Sequence, residues 1–283
     1  MTSSSCPPQS IDVLVGQTFG NCANNTHELL NLTDNGEEKK NNKHNHDENN
    51  KSKHTAYKYS NNGKGPLHEA VILAGFPVFL KYKEGEIISV EKVEESSRII
   101  KPPNPEEYPN EPYEFADMQE VLSYVRRAKE ESMHSLYQRG KTFVKKYNDQ
   151  DEDKQILLSA DIVWSYLQDR FSTTHYDVVI GDNESGKSTI GDTFEAVGYR
   201  PVNMTDPTAA NLFRVLGTIE PGQSTIIADE AEKIDQSSDI MSILKTGYHI
   251  KKKIARTNNN NNTWKQEFFF TYCFKIINSG KVA

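Results

Sequence analysis

The sequence predicts an α/β fold with a three-layer core, and three observations in its C-terminal half predict it. The first is Gly181-Asp182-Asn183-Glu184-Ser185-Gly186-Lys187-Ser188-Thr189, which fits the phosphate-loop pattern G-x-x-x-x-G-K-[ST] at Gly181, Gly186, Lys187 and Ser188. The second is its context: an apolar, β-branched run over 176–180 precedes it, and a run suited to a helix over 189–197 comes after it. The third is the segment 224–230 (STIIADE), a short apolar strand that ends in two carboxylates. Strand, glycine loop and helix, then a strand tipped with acid, is the order of a P-loop NTPase core.

The remaining elements are taken in chain order. Residues 1–65 read as a disordered, Asn-rich arm. The stretch 37–64 is mostly Asn, Lys, Glu and His and buries too little apolar surface to offset chain entropy. Within the arm, 11–15 reads as a strand fragment, and His44, His46 and His54 read as a solvated linker before they read as a weak metal site. Residues 66–153 form a small β plus helical accessory segment. In it, 69–82 gives two short strands broken at Gly75, and 87–93 gives a third. Five prolines between 102 and 112 mark an extended connector. A helical pattern over 117–146 comes next, with Gly140 as the expected break.

Residues 154–283 carry the P-loop domain. It opens with a helix over 154–168. After the glycine loop come a strand over 200–204, a helix over 208–216 capped by Thr205 or Asp206, and a helix over 238–246. The run 268–277 (FFFTYCFKII) reads as one central strand that ends at Asn278.

Composition narrows the function classes. Hydrophobic residues make up 35% of the chain, and the deficit is concentrated in the arm. A net charge of -7 argues against a nonspecific coat on nucleic acid and leaves room for a local basic patch. Cys6, Cys22 and Cys273 are widely spaced, which suggests neither a disulfide framework nor a zinc ribbon. No secretory signal is read at the start, and no apolar run approaches the ~18 residues that span a bilayer. The expected setting is cytoplasmic, with no membrane partner.

The chemistry of the motif residues sets the expected roles. Residues 181–189, from Gly181 through Asp182, Asn183, Glu184, Ser185, Gly186, Lys187 and Ser188 to Thr189, bend backbone N–H groups toward one point at the positive end of a helix. ATP is the expected ligand, with Mg2+ as cofactor. Lys187 is expected on the β- and γ-phosphates, Ser188 and Asp229 on Mg2+, and Glu230 on the attacking water. Asn278, at the tip of the next strand, reads either as a γ-phosphate sensor or as a turn residue in Asn-Ser-Gly. Asp229 and Glu230 read alternatively as an acidic helix start.

A basic hairpin completes the pattern. Residues 249–256 (HIKKKIAR) precede five asparagines at 258–262 and a returning strand. Lys251, Lys252, Lys253 and Arg256 form the densest basic cluster beyond the arm. They read as contacts to DNA phosphates, with Trp264 available for stacking, or as an edge strand whose lysines prevent pairing.

At these residues the chain resembles a known group. GDNESGKST, MTDPTAANLFR (204–214), IIADEAEKID (226–235) and ILKTGYHIKKKIAR (243–256) look like P-loop ATPases of archaea, mostly ammonia-oxidising ones. These are similar in turn to the AAA+-like ATPase domains of phage and plasmid primase–helicases. The resemblance extends upstream through HEAVILAG (68–75), PPNPEEYPNEPYEF (102–115) and WSYLQDRFSTTHY (164–176), and covers roughly 67–278. It implies ATP binding, and hydrolysis coupled to nucleic acid, with Lys187, Ser188, Asp229 and Glu230 on motif positions and Asn278 a looser match. Members of the group continue past the sensor strand with an Arg-containing segment. The chain is therefore expected to be C-terminally incomplete, with turnover impaired before binding is.

The resulting expectation is an Mg2+-dependent, helicase-like ATPase acting on DNA, with homo-oligomerisation through the ATPase domain. The alternative is an ATP-binding regulatory or scaffold protein with little turnover. A small-molecule kinase ranks third, because no lid or second substrate pocket is legible.

Overall fold

The computed structural model describes residues 51–61, 65–108, 112–182, 184–205, 207–217, 219–229, 238–260 and 263–280. Most of the expected arm lies outside them, with the strand fragment at 11–15, His44, His46, Cys6 and Cys22. The part of the arm that is described is folded: β1 (Ser52–Thr55) and β2 (Lys58–Tyr59) flank the buried Ala56 and Tyr57. The polar composition upstream had masked this short apolar stretch.

Two tight turns join the next three strands. β3 (His68–Leu73), β4 (Phe76–Lys83) and β5 (Glu86–Val90) form an antiparallel meander. Its two-residue turns are Ala74-Gly75 and Glu84-Gly85, all four with positive φ, which matches the twist of the flanking strands. β6 (Val93–Glu94) and β7 (Arg98–Lys101) pair antiparallel, and β1 runs parallel to β7. β8 (Glu114–Phe115) adds to the edge of β3.

Three helices lead to the core. α1 (Met118–Glu130) is capped by Asp117, whose carboxylate accepts from the Gln119 and Glu120 amides. α2 (Met133–Tyr147) starts at Ser132, whose hydroxyl accepts from Ser135 N at 3.0 Å. The expected helical run therefore breaks at 131–132, where a serine cap competes with continuation. It does not break at Gly140, which lies within α2. α3 (Glu152–Leu167) is the third.

The core alternates strand and helix: β9 (Tyr176–Ile180), α4 (Lys187–Val197), β10 (Pro201–Thr205), α5 (Ala209–Leu216), β11 (Thr225–Asp229) and α6 (Ser238–Gly247). The hairpin β12 (Lys253–Asn260) and β13 (Thr263–Phe270) and the strand β14 (Phe274–Ser279) complete it. α5 is capped by Thr208, which accepts from Asn211 N at 3.2 Å. The cap expected at Thr205 or Asp206 is replaced because β10 continues through Thr205. The run 268–277 is likewise two strands. Phe268 to Phe270 belong to the hairpin, and the chain turns at the buried Thr271, Tyr272 and Cys273 before β14.

β10, β11, β14 and β9 lie side by side in that order, all parallel. Their side chains alternate between two apolar clusters. Ile226 and Ala228 pack with Leu212, Phe213, Ile240 and Ile243 of α5 and α6. Ile227, Phe274 and Ile276 pack with Val144, Ile162, Ile190 and Phe194 of α2, α3 and α4. The protein is thus a mixed α/β structure with helices on both faces of a parallel sheet. Among the described residues no helix is long and apolar enough to cross a membrane.

Candidate functional site

The end of β9 runs straight into the glycine loop. Gly181 N donates to Ser279 O at 3.4 Å, which ties the start of the loop to the end of β14. Glu184 and Gly186 both have positive φ (63° and 84°), and Ser185 N donates to Asp182 O at 3.3 Å. A Cβ on Gly181 would come within 2.4 Å of Ser185 Oγ, so glycine there lets the Ser185 hydroxyl lie against the start of the loop. α4 begins at Lys187, and its first-turn N–H groups, Ser188 and Thr189 included, lack intrahelical partners. The Lys187 ammonium folds back over the loop and donates to Gly181 O at 2.6 Å and Asp182 O at 2.7 Å. Asn183 lies outside the described residues.

Asp229 ends β11 two strands from β9, with β14 between them. Its two carboxylate oxygens are each engaged. Ser188 Oγ donates to Oδ2 at 3.4 Å, and Asn278 Nδ2 donates to Oδ1 at 3.3 Å. Asn278 lies inside β14, paired in register with Val179 of β9, and not in a turn. Its side chain is buried, and its Oδ1 has no hydrogen-bond partner among the described residues. α4 approaches this closely because residue 191 is glycine: a Cβ there would meet Ile227 at 3.1 Å and Asn278 Nδ2 at 3.3 Å. Glu230 lies outside the described residues.

One acidic residue near this site belongs to no motif and was not legible as part of it. Loss of some hydration, with Glu195 and Asp229 nearby, raises the exposed Asp192 carboxyl above its ordinary value. Its position four residues after Ser188, one helical turn on, was the signal available.

The basic cluster is divided by the fold. Lys251 and Lys252 precede β12, in a turn closed by Lys252 N donating to His249 O at 3.0 Å. Lys252 Nζ donates to Tyr248 Oη at 2.7 Å and sits over that ring. Arg256 packs on the Phe213 ring, 4.6 Å from its centre. Lys251 and Lys253 instead line a cleft of about 550 Å³, shared with Lys58, Arg98, Arg170 and the rings of Tyr59 and Phe270. Asp169 and Glu220 are the acidic residues lining it. Lys58 pairs with Asp169 at 3.4 Å, and Arg98 with Glu220 at 3.4 Å. Lys58, Arg98 and Arg170 were not legible as part of this cleft, since they join Lys251 only through the tertiary fold. Nothing is described of the Trp264 side chain.

His54, from the expected arm, pairs with Glu220 at 2.7 Å and is not grouped with other histidines among the described residues. Cys273 is buried as a free thiol.

No family model matches the chain, and no curated protein matches it. Among solved structures, one described as the A form apo structure of NrS-1 C terminal region-CTR aligns with 76% of this chain at 14% identity and a TM-score of 0.33. The chain spans 55% of that structure's length.

Proposed function

We propose that this chain is a P-loop NTPase that binds ATP with Mg2+ and hydrolyses it, as a helicase-like ATPase acting on DNA. The observation that carries the reading is the convergence of Ser188 and Asn278 on the two oxygens of Asp229, beside the Lys187 loop. Residues 154–283 form the ATPase unit in this reading, and 66–153 an accessory segment.

The residues present fit the ligands. The Ser188 hydroxyl and the Asp229 carboxylate are hard oxygen donors, the kind that Mg2+ takes. Among the described residues Lys187 donates to two carbonyls, and a phosphate oxygen is a stronger partner for its ammonium. The loop amides and the first turn of α4 would bind the phosphate chain. Bound Mg2+ would neutralise charge on the transferred phosphoryl group. Asn278 gives its amide to Asp229 and would hold that carboxylate toward the ion. Glu230, next in the chain, is the residue assigned to accept the water's proton.

DNA is assigned to the cleft bearing Lys251 and Lys253. A groove lined by cations and two rings suits a phosphate backbone with stacked bases. The strands direct their C-terminal ends to the glycine loop, and the segments before β9 (Asp169, Arg170) and β11 (Glu220, Pro221, Gln223) border the cleft. Nucleotide and DNA would therefore engage opposite ends of the sheet.

The test is nucleotide affinity and phosphate release, with and without Mg2+ and single-stranded DNA, for the chain and for Lys187→Ala. Lys187→Ala is expected to weaken Mg-ATP binding roughly 10- to 100-fold, the worth of hydrogen bonds to a charged group. Release of phosphate should rise with DNA in the parent chain. Absence of Mg2+-dependent affinity for ATP would remove the reading, and binding without release would reduce it to a non-hydrolysing nucleotide sensor.

A further inference from the structure

A second cluster of chemistry-bearing side chains lies away from the glycine loop. Asp161 is on α3, His175 just precedes β9, and Asp177 is near the start of β9. One ligand atom from each lies within 4.8 Å of the other two. Asp177 and Gly181 are separated by four steps of extended chain, about 13 Å, so the cluster is remote from the proposed nucleotide site.

We propose that Asp161, His175 and Asp177 form a site for a divalent transition-metal ion of the zinc type, which staples α3 to the edge strand β9. The donor set is one imidazole and two carboxylates, three protein ligands with a fourth position left for water. Around a tetrahedral ion with bonds of ~2.0 Å, ligand atoms stand about 3.3 Å apart, which these side chains reach by small rotations. Imidazole nitrogen favours zinc or cobalt over magnesium or calcium.

The second observation is a pair of buried, unsatisfied oxygens. Asp161 is 3% exposed, and its Oδ2 has no hydrogen-bond partner among the described residues. Asp177 Oδ2 is also buried without one. His175 Nε2 meets Asp161 Oδ1 at 2.8 Å. A histidine–aspartate pair alone accounts for that oxygen and leaves the other two facing only each other, a contact between two acceptors that is satisfied without a cation only when one carboxyl holds a proton. A cation shared by the three groups satisfies both and balances the second carboxylate.

The surroundings fix the ligands in place. The His175 ring lies 5.6 Å from Trp164 and 5.1 Å from Phe274, centre to centre. Trp164 is held in turn, with Nε1 donating to Thr174 Oγ1 at 3.1 Å. The His175 side chain is 45% exposed, which gives an ion a way in from solvent.

The test uses the full chain, stripped with chelator and free of nucleotide, titrated with Zn2+ and separately with Co2+. One equivalent should bind, with a rise in Tm and a visible Co2+ absorption of the intensity that four-coordinate sites give. The Asp161→Asn/Asp177→Asn variant, with folding checked by circular dichroism, should bind roughly 100-fold more weakly or worse. His175→Ala, at a half-exposed side chain, should lose the Co2+ band even if the double variant folds poorly. A His44→Ala/His46→Ala chain should keep the band, as should Asp229→Asn. No binding by the parent chain overturns the proposal. So does a band that survives His175→Ala, or one that disappears with His44 and His46.

Discussion

Glu69 and Arg200, 131 positions apart, form an ion pair at 3.1 Å with both side chains out of solvent. The guanidinium also donates to Ala70 O and lies 3.9 Å from the centre of the Tyr113 ring. Glu69 accepts a further bond from Tyr199 Oη at 3.1 Å. The pair joins β3 to the residue just before β10, so the N-terminal sheet and the parallel sheet are held by a contact that water does not screen. An apolar cluster runs across the same junction, with Val71, Leu80, Val121 and Tyr124 packed against Tyr166 and Tyr199.

Removing one member of this pair strands the other. Glu69→Gln should destabilise the chain by about 3–5 kcal/mol, because the Arg200 charge stays buried without its counterion. Adding Arg200→Met to that variant should recover part of the loss. Urea unfolding of the two single variants and the double variant measures the coupling. Strictly additive losses would mean that the two side chains do not depend on each other.

Asn278 separates positioning from binding. Asn278→Ala removes the amide that holds Asp229. Turnover should fall roughly 100-fold, the scale on which one aligned polar group acts in a transition state. Affinity for Mg-ATP should stay near that of the parent, since Lys187 and Ser188 are untouched. The comparison is kcat against a directly measured Kd. Equal losses in both would assign Asn278 a structural role.

What the sequence made legible was local. The glycine loop, its strand and its helix lie within one short window, where spacing alone fixes geometry. Asp229 was legible for the same reason, as the acid that ends an apolar run. Residues 268–277 misled because every residue around the break is apolar or buried, so burial at Thr271 and Cys273 looked like strand continuation. The helix break at Ser132 was a capping competition that the nearby Gly140 obscured. The cleft and the Asp161–His175–Asp177 cluster were illegible for a different reason. Their members come from separate elements, and no periodicity carries a contact between a helix face and a strand that starts after a turn.

The division of the basic cluster yields a graded expectation. Lys251→Ala and Lys253→Ala, both in the cleft, should each weaken binding of single-stranded DNA and lower the salt slope by about 1. Lys252→Ala should change both little, because its ammonium is occupied by Tyr248, and so should Arg256→Ala, which packs on Phe213. Fluorescence anisotropy across a salt series reads both quantities. Four equal effects would place the DNA along the whole hairpin and not in the cleft.

Lys275 gives a pH dependence with a definite sign. It is buried in β14, where its ammonium donates to Thr271 O at 2.9 Å and Cys273 O at 3.0 Å and lies over the Tyr176 ring. No ion pair to it is present among the described residues, and burial lowers its pKa below the ordinary lysine value. The unfolded chain therefore binds more protons between the depressed folded value and about 10.4. Stability from this group is complete above that upper limit and is lost as pH falls toward the folded value. Lys275→Met, similar in length and uncharged, removes the dependence together with two carbonyl contacts. Its Tm relative to the parent should be most favourable at pH 7 and should fall steadily by pH 10. A difference that holds constant over that range would show that the ammonium carries no penalty in the sheet.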